Sequence, residues 1–302
     1  MSLNDMLPTV MTKFPQMGRA DLRDFKKGID EAFRGFSREY GESIENFFYP
    51  LKLFLVWFEK LLLSTPWPLM LVIIAFLVWL GARSWFLVVG TVLSLLLIGY
   101  LGMWEDTMRT LALVSVSTFV CIAVGIPVGI LMSKSDRIQA TITPILDIMQ
   151  TIPAFVYLIP VLLLLGIGKV PGLIAVCIYA IPPVVRLTNL GIRLVDKDVL
   201  EAADAFGASP RQKMMQVQLP LALPNLFAGV NQTIMMALAM VVVAAMIGAP
   251  GLGTQVLKAV QNQYLALGLM NGSAIVAIAI VFDRVSQKFG KRLQKHTEKV
   301  HG

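Results

Sequence analysis

Seven apolar runs, separated by short charged or proline- and glycine-bearing breaks, constrain this chain more than any single motif in it. They occupy approximately residues 67–82, 85–104, 107–133, 142–166, 173–194, 227–249 and 269–282. A helix rises about 1.5 Å per residue, so runs of this order reach across most or all of a hydrocarbon layer about 30 Å thick. Inside that layer no water is available to bond backbone N–H and C=O groups, and the α-helix satisfies all of them within one segment. The composition agrees: 56% of the 302 residues are hydrophobic, 15% are charged and the mean hydropathy is +0.72, too apolar for a soluble globular protein of this length. The expected fold is an all-α polytopic membrane protein with about seven spans.

A net charge of +7 and a pI near 9.5 would suit nucleic acid, but the basic residues beyond position 66 gather at the ends of apolar runs and in the C-terminal tail. The positive-inside rule accounts for that placement, which points to a lipid bilayer and not to nucleic acid. Residues 1–66 hold nine Lys/Arg and nine Asp/Glu, so the excess arises entirely afterwards, and a neutral segment permits export. Met1–Asp5 lead into mixed charges rather than an apolar core, so no cleavable signal peptide is expected and the first span directs insertion. Ile44–Leu63 mixes Phe47, Phe48, Leu51, Leu55 and Phe58 with Glu45, Lys52, Glu59 and Lys60, the pattern of an interfacial amphipathic helix. The expected division is an external tail at 1–66, a membrane domain at 67–283 and a basic cytoplasmic tail at 284–302, with no binding domain fused at the C-terminus.

Within the spans, Trp67, Trp85 and Trp104 mark ends, where interfacial aromatics belong. Cys121 and Cys177 fall inside apolar runs and read as small buried hydrophobes; His296 and His301 sit in a charged tail without a third ligand, so no metal site is expected. The fourth run contains Pro144, Pro153 and Pro160, which predict a kinked span. Asp147, Gln150, Thr151 and Ala154 follow helical spacing on it, with Tyr157 further along. That polar face, set against Asn231 and Thr233 of the sixth run, is the candidate wall of a translocation path; interhelical hydrogen bonding is the alternative. Asp147, near the inner end, reads as an anchor for the polar loop after the fifth run, and Arg186 as a side chain reaching the inner surface, with direct substrate contact the alternative. The methionines Met235, Met236, Met240 and Met246 read as adaptable packing.

No phosphate-binding G-x-x-x-x-G-K, no H-E-x-x-H and no G-x-S-x-G occurs, so no catalytic residue is assigned and the chain is not expected to be an enzyme. The interval Asp198–Pro224, the longest polar stretch after residue 64, reads as two short helices: Asp198 with Glu201 as cap and partner, Gly207 at the turn, then Ser209, Pro210 and Gln212. Leu219-Pro220 is expected to stop the second.

The residues Glu201, Ala202, Ala203, Gly207, Val217, Leu219 and Pro220 match an E-A-A, glycine, aliphatic-x-L-P pattern, and the interval 196–224 resembles the EAA loop of bacterial ABC importer permeases. DIMQTIPAFVYLIP, GIGKVPG, AIPPVVRLT, FGASPRQ and AGVNQT are similar to segments of glycine betaine/proline permeases, and the resemblance covers approximately residues 65–290. It implies a type I importer membrane domain with Glu201, Ala202, Ala203, Phe206, Gly207, Ala208, Ser209 and Pro210 contacting an ATPase. It further implies a second copy of the chain, two cytoplasmic ABC ATPase subunits that bind the ATP and magnesium this chain does not, and an external substrate-binding protein in a bacterial inner membrane. Taking the EAA loop as cytoplasmic leaves Lys169 and Lys258 outside and puts the N-terminus outside. The competing class, an ion-coupled secondary transporter of a small zwitterion, should show internal repeats with paired broken helices, and none is seen. A non-transporting osmosensor has no positive support. Which of glycine betaine, proline betaine, choline, carnitine or proline is preferred is left open.

Overall fold

The computed structural model describes residues 16–300, and its contacts divide the chain into two compact units, Met1–Phe47 and Phe48–Gly302. Helix α1 (Arg19–Ser64) runs through the division and holds Pro50 inside it. In the first unit Leu22, Phe25, Ile29, Phe36 and Tyr40 are exposed at spacings of three, four and seven residues, which align them as one stripe. The rings of Phe36 and Tyr40 lie 5.1 Å apart along it.

The second unit is a helical bundle: α2 (Trp67–Ala82), α3 (Trp85–Tyr100), α4 (Trp104–Lys134), α5 (Asp136–Thr151), α6 (Ala154–Leu165) and α7 (Lys169–Arg193) come first. The short α8 (Lys197–Ala205) and α9 (Pro210–Gln212) follow, then a π-helical stretch (Lys213–Gln218), α10 (Leu219–Ala239), α11 (Val241–Ala245), α12 (Leu252–Asn262) and α13 (Leu265–Val300). α4 and α7 form the centre. Gly129 lets them approach, since a Cβ there would lie 2.6 Å from Thr188 Cβ and 2.7 Å from the Val185 carbonyl oxygen. Between membrane helices, where burial from lipid gives no drive, such small-residue contacts supply the packing. Cys121 Sγ contacts the Cys177 carbonyl at 3.8 Å and Cys177 Sγ the Ser117 carbonyl at 3.7 Å, so both thiols serve the same seam.

Four helical runs among the described residues are long and apolar enough to cross a membrane alone: α4, α7, Pro210–Ala239 and Leu265–Gly290. The number becomes six if each of two bent pairs is one span, α1 with α2 (112°) and α5 with α6 (99°). Seven independent spans are thus not what the helices present. The 16 residues of α3 extend about 24 Å, short of the hydrocarbon thickness.

Three local expectations are corrected. The fourth run is broken at only one of its three prolines: Pro153 lacks an N–H, holds Ile152 at φ −66°, ψ 128° and leaves two helices bent by 99°, while Pro144 and Pro160 lie inside helices. Leu219-Pro220 does not stop its helix. The preceding π-helical stretch lets the Leu219 N–H reach back five residues to the Met214 carbonyl, and this wider turn accommodates the proline that follows. The seventh run is not short, since α13 carries the last span and the basic tail as one helix, with Arg292 donating to the carbonyls of Leu80 (2.8 Å) and Gly81 (3.3 Å) at the end of α2.

From Phe48 onward α1 is packed: Leu55 belongs to the main apolar cluster with Leu51 and Phe58 beside it. Glu59, its side chain 8% exposed, accepts from Lys169 Nζ at 2.7–2.8 Å and lies 3.9 Å from Arg109 Nε. Arg109 also holds Asp106, which accepts from Gln255 of α12 at 2.8 Å. This network ties α1, α4, α7 and α12 together at one end of the bundle. Removing the carboxylate strands Lys169, which is partly exposed and so partly rehydrated, while Arg109 keeps Asp106 and Glu105. Glu59→Ala should therefore lower stability in detergent by about 2 kcal/mol, and Glu105→Ala, which removes an exposed partner of Arg109, by under about 0.5 kcal/mol in the same thermal-unfolding measurement.

Candidate coupling loop and membrane path

The polar interval folds into a helix capped at both ends, a glycine turn and a second helix that is capped at its N-terminus and runs on into the π-helical stretch. Asp196, at φ −55° and ψ 133°, is the N-cap of α8 and accepts from the Asp198 N–H at 3.0 Å, so Asp198 is a first-turn residue and not the cap. Its charge still favours the helix N-terminus. At the other end Gly207 has φ +77°; its N–H bonds the Asp204 carbonyl at 2.9 Å and the Ala208 N–H the Ala203 carbonyl at 3.0 Å. Those two bonds are a Schellman closure, which needs the left-handed residue that glycine supplies without a side-chain penalty. Ser209 and Gln212 form the reciprocal capping box, with Pro210 at the first helical position.

The loop is fastened to the bundle from both sides. Lys213 Nζ bonds both carboxylate oxygens of Asp204 at 2.6 and 2.8 Å, closing α8 onto the π-helical stretch. Met214 packs with Ile192, Ala222 and Leu226 beneath. On the entering side Arg193 bonds the Asn189 side chain (3.1 Å), the Met132 carbonyl (3.0 Å) and the Asp136 carboxylate (2.7 Å), which joins the ends of α4, α5 and α7. What remains free is the outer surface of the knob. Glu201, Ala202, Phe206, Gly207, Ser209 and Pro210 are exposed, with Ala203 and Ala208 half-buried beneath them, and Phe206 is 92% exposed. Glu201 has no ion pair among the described residues and takes no part in capping α8.

The other candidates fall into separate groups. Gln150 Nε2 contacts Met236 Sδ, and the Tyr157 hydroxyl contacts Met240 Sδ, each at 3.8 Å. Thr151 is exposed and donates to the Asp147 carbonyl. Ala154, expected on the same helical face, lies beyond the break in α6. Asn231 turns to α13 and donates to Asp283 Oδ1 at 2.9 Å, and Thr233 is fully buried. The residues that meet Gln150 and Tyr157 are therefore Met236 of α10 and Met240 at its C-cap, one helical turn apart. Reading the methionines as packing did not single them out. Asp147 anchors, though to Arg186 of α7 at 2.6 Å rather than to the loop.

Residues 123–295 match the family described as binding-protein-dependent transport system inner membrane component. The chain is 46% identical over 242 residues to the glycine betaine/proline betaine transport system permease protein ProW of Escherichia coli, covering 80% of this chain and 68% of that protein. It is 47% identical over 232 residues to the glycine betaine/carnitine transport permease protein GbuB of Listeria monocytogenes (76% and 82%). The glycine betaine transport system permease protein OpuAB of Bacillus subtilis is 41% identical over 278 residues (92% and 96%). Among solved structures, an inward-facing MetNI methionine ABC transporter superposes with a TM-score of 0.57 at 22% identity, over 63% of this chain and 95% of that one.

Nothing lies within 4 Å of a Cβ built on Gly207, so the effect of a side chain there is conformational alone. Gly207→Val should loosen the α8 closure by about 1–2 kcal/mol, seen as roughly tenfold faster amide exchange at Gly207 and Ala208, whereas Gly207→Asn should leave exchange nearly unchanged.

Proposed function

The chain belongs to the family of binding-protein-dependent transport system inner membrane components, and we propose that it is the permease subunit of an ATP-driven importer for glycine betaine, proline betaine or a related compatible solute. The observation that carries this reading is the knob at 197–210, with α8 capped at both ends and α9 at its N-terminus, anchored at Arg193 and Met214, and presenting Glu201 and Phe206 bare. A large apolar ring almost wholly in water is costly to leave uncovered and suits a protein partner. In the proposed assembly two copies of the chain form the pathway, two ATPase subunits hold ATP and magnesium beneath the knobs, and an external binding protein delivers substrate. The assembly lies in a bacterial inner membrane.

Glu201→Ala and Phe206→Ala should leave insertion and ATP hydrolysis in place while reducing ATP-dependent uptake of labelled glycine betaine into proteoliposomes by about tenfold or more. Normal uptake by the double variant removes the coupling role. Uptake driven by an ion gradient without nucleotide would favour a secondary transporter instead.

Through the membrane, the proposed path uses Gln150, Thr151 and Tyr157 with Asn231 and Thr233 of α10, and adds Met236 and Met240, which contact Gln150 and Tyr157. A zwitterion leaving water needs dipoles and polarisable groups that hold it only weakly, so that it can leave. The proposed topology puts the N-terminus outside and the tail inside, with seven crossings if α3 traverses a locally thin layer. In a chain with Cys121 and Cys177 replaced by alanine, an impermeant thiol reagent added outside should label Ser43→Cys always and Thr151→Cys in a nucleotide-dependent manner. Protection of Ser43→Cys overturns the topology, and constant protection of Thr151→Cys alongside persistent uptake overturns the path.

A further inference from the structure

We propose that the cavity between residues 58–65, at and just past the end of α1, and helices α2, α3, α4 and α13 binds one bilayer phospholipid, with an acyl chain inside it and the phosphate at Arg83 and Arg292. The cavity holds about 440 Å³ and is walled by aliphatic side chains such as Val78, Leu95, Ile98, Leu111 and Ile278. Of the four hydroxyls in its wall, three are already bonded to carbonyls one turn back, Thr65 and Thr91 at 2.7 Å and Ser94 at 2.8 Å, and the fourth is Ser115. Water entering would find few partners, so the space favours an apolar guest.

Size and shape narrow the guest. An apolar cavity of about 150 Å³ already takes up benzene, and this one is larger by roughly a factor of three. A helix with its side chains measures about 10 Å across and demands far more room, whereas a flexible hydrocarbon chain is narrow enough. Leu61, Ile73 and Leu77 of the wall are themselves exposed, so the cavity opens sideways between helix faces that carry other exposed apolar residues, Val72, Phe76 and Leu93 among them.

Charge fixes the other half of the ligand. From Leu77 in the wall, α2 runs about 9 Å to Arg83, and from Val285 in the wall, α13 runs about 10 Å to Arg292. Arg292 bonds the Leu80 and Gly81 carbonyls, which brings it to the helix end where Arg83 lies over the Trp79 ring at 4.6 Å. Neither guanidinium has a carboxylate partner among the described residues. Two uncompensated cations beside the mouth of an apolar cavity complement a phosphodiester that carries a fatty chain.

Native mass spectrometry of the full chain, purified from membranes in a mild detergent, tests this. The wild type should retain one phospholipid per chain. Ser94→Phe, which fills the cavity, should lower the retained fraction about tenfold. Arg83→Gln should lower it several-fold, and high salt should do the same to the wild type. Val89→Phe, exposed on the side of the same helix that does not line the cavity, should change nothing. Equal retention in the wild type and Ser94→Phe, or a wild type that retains detergent alone, overturns the proposal; full retention in Arg83→Gln overturns the phosphate assignment. If Ser94→Phe does not accumulate, Ser115→Leu enters the same space from α4 and is read identically.

Discussion

Close backbone approach at α7 is the contact on which the rest of the bundle depends. On one side Gly129 of α4 meets Val185 and Thr188; on the other a Cβ on Gly229 of α10 would lie 3.0 Å from Val184 Cα, and one on Gly191 of α7 would lie 2.7 Å from Asn225 Cβ. In lipid, neighbouring helices gain little from hiding apolar surface, because the tails are as apolar as leucine, so dispersion at short range does the holding. A helix clasped from both sides cannot shift alone, and α7 is also the helix that leads into the exposed knob.

The charged side chains work at the two ends of this clasp. At one end Glu59 gathers Lys169 and Arg109, and Asp106 extends the network to Gln255. At the other, Arg193 ends α7 and bonds the last carbonyl region of α4 together with the first residue of α5, while Asp147 and Arg186 tie α5 to α7 nearer the middle. A displacement of the knob is thereby passed to three helices through short polar contacts rather than through loose side chains, which is the mechanical property that the proposed coupling requires.

Much of this was legible before the structure. Long apolar runs with few charges inside them admit one solution in hydrocarbon, so the all-helical membrane fold follows from composition and spacing. The Gly207 turn and the Ser209, Pro210 and Gln212 capping box were equally readable, because caps depend on residues only three or four apart in the chain. The knob of the candidate site therefore came from local sequence.

What the sequence did not decide is everything that depends on residues distant in the chain. Which of Pro144, Pro153 and Pro160 breaks its helix is set by what surrounds the freed carbonyls, not by the proline itself. Whether Leu219-Pro220 ends a helix depended on a π-helical widening before it, to which no residue type is specific. Periodicity put Gln150, Asn231 and Thr233 on polar positions of two helices, yet it says nothing of their rotation about one another; that rotation gave Met236 and Met240 to Gln150 and Tyr157, and Asn231 to Asp283. A helix displays its own faces in sequence, but which face meets which is a property of packing, and packing is decided only when all the helices are present.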